Sequence, residues 1–452
     1  MNTKFNKQLS VILFISTLCC INCATTNLEY QQKKADHYAL QGNFAAALKL
    51  YGQYLCKKPN NFVVATAYVQ TWHQLGAAQK DDTLSACLAE TQTELYIKAL
   101  KYAAKQEYAK ALSQLEKIKK TTTPENHAEF FYRQGLIAMQ VQNANLAYKS
   151  LVQAHQKKPK RIDILLALSQ SLLDVNNIST AQKHLHSLFD LKPTSSDLKV
   201  AMQIQDSLVK LSYAQLPIDV DKDIRAALRK IESQQLNREV IHHILALSRT
   251  FPHPRVQLSA GLASLRYGLQ KQGEDLLKEA IKNNAFDPNP CQALAFYYAE
   301  NKQPTEALHY YEKAFARNPY DSKLALVLAK HAEEIGKLDL ALRALHTLQL
   351  LEPLHNVHIL SLARVYRKQD NFIYAQQHID RAHQMAPDNL PIVIEWLTIA
   401  LDAAQSSTLE PKERKQAQKN AHKALKKLED ISPNHPAKQI FHKKLQSIEQ
   451  AT

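Results

Sequence analysis

The chain has 452 residues, only 8 of them glycine, against a usual glycine share of about 7%. That supply excludes folds built on Gly-rich phosphate loops or many tight hairpins and leaves an all-helical chain as the best fit. Lys and Arg number 57 against 42 Asp and Glu, a formal charge of +15, which favours acidic partners, anionic lipid surfaces or polyanions without naming one.

At the start, MNTKFNKQLSVILFISTLCCINCATT places Lys4 and Lys7 before an apolar run from Leu9 to Ile21. The run is too short for a membrane span of about 20 residues and has the layout of an export signal. With the cysteine cluster LCCINC behind it, the segment resembles a bacterial lipoprotein signal, in which the cysteine at the cleavage point receives the lipid. The resemblance implies a signal over 1–22 and lipid on Cys23, with Cys20 the alternative. Plain secretory cleavage is the other reading, although Asn22 and Ala24 make a poor cleavage site. Ala24 or Ile21 would follow the lipidated cysteine; neither is Asp, which by family habit implies an outer-membrane anchor facing the periplasm, a soluble periplasmic or secreted chain being the alternative. Of the later cysteines, Cys56 and Cys87 could pair in an oxidising compartment if their helices are neighbours. Buried free thiols are the expected state there, and Cys291 has no evident mate.

Downstream the chain repeats itself. Pro159 and Pro193 lie 34 residues apart, as do Pro319, Pro353 and Pro387. Matched positions recur between them: Gly42, Phe44, Ala47, Tyr51 and Pro59; Gly135, Ala147, Leu151, Ala154 and Pro159; Ala181, Leu185, Leu188 and Pro193; Ala295, Ala307, Tyr311, Ala314 and Pro319; Ala329, Gly336, Ala341, Leu345, Leu348 and Pro353; Ala363, Phe372, Ala375, Ile379, Ala382 and Pro387. Small residues let two antiparallel helices approach, a large ring or aliphatic fills the wedge beside them, and proline stops the second helix. The pattern resembles the tetratricopeptide repeat, TPR, whose period is 34. It implies an all-α, right-handed α-solenoid of helix-turn-helix units.

In chain order, the repeats occupy 28–194, an irregular helical segment 195–253, further repeats 254–433 and a capping helix 434–452. The unit from Phe62 to Glu90 is about four residues short, and 82–104 shows no clear breaker. A unit follows around Tyr96, Tyr108, Ala111, Leu115 and Ile118. Helices are predicted near 197–211, 221–234 and 237–251, with a loop at SYAQLPIDVD. The repeat resumes at Gly261, Gly273, Leu277 and Ala280. Trp72 and Trp396 fall on first helices as packing residues, and Tyr51, Tyr311 and Phe372 on core positions.

No G-x-S-x-G, Walker loop, H-E-x-x-H or C-x-x-C follows the leader, so no catalytic residue, cofactor or metal site is assigned and the chain reads as a non-enzyme. The histidine pairs 184/186, 242/243 and 355/358 lack a supporting cysteine pair or carboxylate cluster and read as solvated or core side chains. In the TPR family the first helix of each pair lines the inner curve, which selects Phe296, Lys330, Arg364 and Arg367 as groove residues for an acidic or carboxylate-bearing peptide. Ordinary surface charge is the alternative there, with Glu333 and Glu334 nearby. The family's Lys/Asn carboxylate clamp is not matched, the comparable places holding Gln32 and Asp36.

The most basic stretch carries Lys412, Arg414, Lys415, Lys419, Lys423, Lys426 and Lys427, a solvated helix face or a surface for anionic lipid or an acidic polysaccharide. Nucleic acid is not expected, since no stacking aromatics are interleaved. The function expected is an envelope-located scaffold that takes a protein or peptide in its groove, held at the membrane by its N-terminal lipid. A polysaccharide-export component that binds an acidic polymer is the alternative.

Overall fold

A computed structural model describes residues 27–76, 82–89, 91–118, 124–213, 216–233 and 237–451. The predicted leader at 1–22, with Cys23 and Cys20, lies outside the described residues. Among the described residues there is no strand, and no helix is long and apolar enough to cross a membrane. The chain divides into two compact units, one ending at Pro193 and the other beginning at Thr194.

The first unit runs α1 (Asn27–Leu40), α2 (Phe44–Lys57), α3 (Phe62–Gln74), α4 (Asp82–Cys87), α5 (Gln92–Ala104), α6 (Tyr108–Glu116), α7 (Pro124–Gln140), α8 (Ala144–Lys157), α9 (Ile162–Asp174) and α10 (Ile178–Ser187). Apart from the short α4, which packs against α2, consecutive helices pack on one another, and α3 packs against both α5 and α7, so first helices share a layer. Asn43, Asn143 and Asn177 start α2, α8 and α10 by accepting a backbone N–H on their side chains, which satisfies a donor the helix cannot.

The hairpin turns explain how so few glycines suffice. Gly42 and Gly76 are left-handed, but so are Gln106, Gln142 and Asn176, each at a cost of roughly 1–2 kcal/mol. From Gly76 to Gln106 the interval is four residues below 34, the predicted shortening, and α4 absorbs it as a helix of six residues. Within 82–104, where the sequence shows no clear breaker, Thr91 accepts the Glu94 N–H at 3.2 Å and starts α5. Cys56 and Cys87 form a disulfide with Cα atoms 5.4 Å apart. Both positions are exposed, which corrects the expectation of two buried free thiols. Cys291 is buried and free.

The second unit opens with α11 (Ser195–Leu211), α12 (Ile218–Glu232) and α13 (Arg238–Thr250). Five hairpins follow: α14 (Pro254–Tyr267) with α15 (Gln270–Asn283), α16 (Asn289–Glu300) with α17 (Pro304–Arg317), α18 (Ser322–Glu334) with α19 (Leu338–Leu351), α20 (Asn356–Lys368) with α21 (Phe372–Met385), and α22 (Leu390–Gln405) with α23 (Pro411–Ile431). The last helix, α24 (Lys438–Ala451), seals the stack with Leu445 and Ile448. Left-handed residues Gly268, Lys302, Gly336 and Asp370 recur at the 34-residue interval.

Helix α11 makes no hairpin with its neighbour. It reaches forward to α19, Gln205 donates to the Arg317 carbonyl at 2.9 Å, and Ser212 accepts from Asn284 at 2.9 Å. Tyr213 donates to Asp287 at the same end. The stretch 195–213 is therefore a strap whose anchors lie in later repeats, whereas α12 and α13 pack on each other and on the adjacent α14.

Tyr51, Tyr311, Phe372 and Trp72 are buried, as their repeat positions predict. The α14/α15 hairpin is closely packed: a Cβ on Gly273 would stand 2.7 Å from Leu265 and 2.9 Å from the Gly261 carbonyl oxygen. Gly273→Ala is expected to lower the stability of this unit by about 1–3 kcal/mol, measured by urea unfolding; an unchanged midpoint would show that the two helices can part freely.

Candidate functional site

Three first helices of the first unit, with Gln106 and Tyr108 at the α5/α6 turn, line a cavity of about 260 Å³. Helix α3 contributes Thr66, Val69, Gln70 and His73, α5 contributes Leu100, Ala103 and Ala104, and α7 contributes Arg133, Leu136, Ile137 and Gln140. On α3 and α7 these residues recur at three- and four-residue steps, so each helix presents one stripe to the space. Leu100, Leu136, Ile137 and Val69 make the walls apolar. Gln70, His73 and Gln140 add polar groups along them.

The floor is a buried charge network. Glu129 is 1% exposed; it accepts from Arg133 Nε at 2.7 Å and, on its other oxygen, from an Arg161 terminal nitrogen at 2.7 Å. Arg161 also forms a forked pair with Asp163, at 2.9 Å through Nε and 2.9 Å through the second terminal nitrogen. Thr66 donates to Glu129 at 3.3 Å and lies 3.0 Å from the Tyr96 hydroxyl. Tyr132 lies beneath both guanidinium groups, at 5.3 and 4.8 Å from its ring centre.

Burial alone would raise the Glu129 carboxyl, but Arg133 and Arg161 outweigh it and hold the group down at about 2. Burial opposes the charge on both arginines as well, and the carboxylates around them raise each above its ordinary value. Two guanidinium groups and two carboxylates leave the network neutral overall, and of its members Arg133 and Thr66 border the mostly apolar slot. Such an arrangement suits an apolar side chain entering beside a hydrogen-bonding group.

In the second unit the predicted groove residues separate into two groups. Phe296 is 53% exposed and sets its edge on Tyr311, with ring centres 5.7 Å apart. Lys330 is exposed on the next first helix, α18. The two arginines do not stand ready for a ligand carboxylate, because the protein already supplies their partners. Arg364 grips Glu333 with bonds of 2.7 and 2.9 Å, while Arg367 binds Glu395 at 2.8 Å and Asp402 at 2.9 Å. Lys368 joins Glu333 at 2.8 Å. This ladder ties α18, α20 and α22 together and leaves Phe296 and Lys330 as the accessible pair.

Along α23, Lys412, Lys415, Lys419, Lys423 and Lys426 are exposed and fall within one narrow sector of the helix. Among the described residues none of the five has a carboxylate within ion-pair distance. Arg414 is half-buried, and Lys427 binds Asp388 at 2.6 Å. The cavity in the first unit was not selected from sequence, although Glu129 and Arg133, four apart on α7 with aromatic residues between them, carried a signal for a buried ion pair.

Stacked helix hairpins with an inward layer of first helices define a repeat scaffold of the α-solenoid class. Residues 298–365 match the family model described as Tetratricopeptide repeat; the chain thus carries tetratricopeptide repeats, the match running from the end of α16 into α20. Among curated proteins, no relative matches the sequence. Solved structures similar to it include YrrB, a TPR protein with an unusual peptide-binding site, at 15% identity and TM-score 0.27 over 55% of this chain and 98% of that one. MamA matches at 18% identity and TM-score 0.31 over 41% and 96%, and the Cut9–Hcn1 hetero-tetramer of the APC/C at 14% and 0.28 over 98% and 99%. At such scores the overlays establish no shared overall arrangement.

Proposed function

We propose that this chain is an exported, lipid-tethered scaffold that holds a protein segment along the first helices of its first unit and so helps assemble a cell-envelope complex. The cavity between α3, α5 and α7 carries the reading. It accepts one apolar anchor side chain, while Gln70, Gln140 and the charged floor meet the backbone or polar groups beside that anchor. The Cys56–Cys87 disulfide supports export, because such bonds persist in oxidising compartments. The role is binding rather than catalysis.

Ala104→Phe puts a ring into the slot from a partly exposed position without removing any buried contact. Crosslinked co-purification from native membranes should then recover the partner at about a tenth of the wild-type level or less, with unchanged thermal stability. Undiminished recovery at unchanged stability would remove the cavity from the binding site.

The unpaired lysine stripe on α23 favours a second reading, attachment to an acidic polymer. The same preparations eluted with rising salt separate the two: polymer contact weakens steeply with ionic strength, whereas an anchor in an apolar slot holds. Retention abolished by modest salt in both wild type and Ala104→Phe would favour the polymer.

A further inference from the structure

Glu352, His355 and His358 meet at the turn between α19 and α20, each offering a ligand atom within 4.8 Å of the other two. In sequence the two histidines have neither a cysteine pair nor a carboxylate cluster beside them; Glu352, three residues before His355, supplies a single carboxylate. Glu352 ends α19, His355 occupies the position that starts α20 without using its side chain as a cap, and His358 lies in the first turn of α20.

His358 makes the arrangement unusual. The residue is 3% exposed, its Nδ1 is buried without a partner, and its Nε2 points at the Glu352 carboxylate from 3.6 Å, outside hydrogen-bond reach. Buried polar groups are almost always satisfied. An imidazole within ion-pair but beyond hydrogen-bond distance of a carboxylate, with a second imidazole stacked 4.2 Å away, has the composition of a ligand set. The Arg381 guanidinium donates to the Pro353 carbonyl at 3.1 Å and holds the turn that presents these groups.

We propose that Glu352, His355 and His358 bind one divalent transition-metal ion, of which zinc is the best fit, with water in the fourth position. Two imidazoles and one carboxylate suit zinc and its first-row neighbours, whereas magnesium and calcium prefer all-oxygen shells. Bonds of about 2.0–2.1 Å place neighbouring donors of a tetrahedral shell about 3.3 Å apart. The donors must therefore close from their present spread, and His355 must turn out of its stack so that both rings point at one ion. Glu352 and His355 are solvent-facing enough to do so. The bound ion would lock a joint between consecutive repeats, a role that stands whether or not the cavity of the first unit binds a peptide.

The test is titration of the full chain with Zn²⁺, followed by equilibrium dialysis and thermal melting, and with Co²⁺, followed by its visible absorption. One ion per chain is expected, with the absorption of a low-coordinate site and a raised melting midpoint. Glu352→Gln and His355→Ala, both at accessible positions, should each weaken binding by at least about 100-fold and abolish the shift in midpoint. A His242→Ala/His243→Ala control should bind like wild type. Absence of stoichiometric uptake, or uptake unaffected by Glu352→Gln and His355→Ala, overturns the assignment, as does loss of uptake in the control alone.

Discussion

Glu129→Ala is expected to destabilise the first unit by about 3–5 kcal/mol, because it leaves the buried Arg133 without the carboxylate that its Nε donates to. Arg161 retains its forked bond to Asp163, so the loss concentrates at Arg133. The paired replacement Glu129→Leu/Arg133→Leu should recover much of the loss, since an apolar pair of similar size avoids desolvating two charges. The two tryptophans of the chain, Trp72 and Trp396, lie in different units. Urea unfolding of a Trp396→Phe background followed by Trp72 fluorescence therefore reports the first unit. A double variant as unstable as Glu129→Ala would show that the network does more than neutralise itself.

The same carboxylate sets an acid limit. Glu129 has an ordinary value of 4.5 and is held at about 2 when folded, so the unfolded chain takes up its proton first as pH falls. Its contribution is fully present above about pH 4.5 and is lost as pH drops toward 2, amounting to about 3 kcal/mol. Wild type and Glu129→Ala should differ by a constant amount from pH 7 to 5 and converge below that. A gap that persists at pH 2 would contradict the assignment.

Removing the disulfide should cost nearly as much. A 31-residue separation between Cys56 and Cys87 corresponds to about 3–4 kcal/mol of lost chain entropy in the unfolded state. The bond has a local reason to exist, since α4 has six residues, too few to hold a helix without tertiary support. Of its residues and those just beyond, Leu84 and Leu88 supply the buried contacts. Cys56→Ser/Cys87→Ser should lower the urea midpoint of the first unit and speed amide exchange over 82–89 ahead of the flanking helices. Reduction of the wild type should reproduce both effects. Equal stability of the oxidised and reduced chains would mean that α4 is held by packing alone.

Much of this architecture was legible from local pattern. Ala47, Ala147, Ala307, Ala341 and Ala375 are fully buried, where the repeat requires a small residue between close helices. Thr91 shows a boundary that could have been read, since Thr91-Gln92-Thr93-Glu94 is a helix-start pattern. The pairing of Arg364 with Glu333 was half legible: both stand on first-helix positions, and adjacent units bring them together across 31 residues. Glu352 beside His355 and His358 was not legible, because a single carboxylate at the end of one helix meets the two histidines only through the turn into the next.

By itself the sequence determined the helix pairs, their interval, the shortened unit at 62–90 and the residues between paired helices, because these depend on contacts within one repeat or its neighbour. Tertiary structure alone decided the rest. The strap at 195–213 takes its place from Asn284, Asp287 and the Arg317 carbonyl, 72 to 112 residues away, and no local periodicity encodes partners so distant. The cavity likewise arises where stripes from α3, α5 and α7 fail to fill the space between them. That void is a property of three helices together and of none separately.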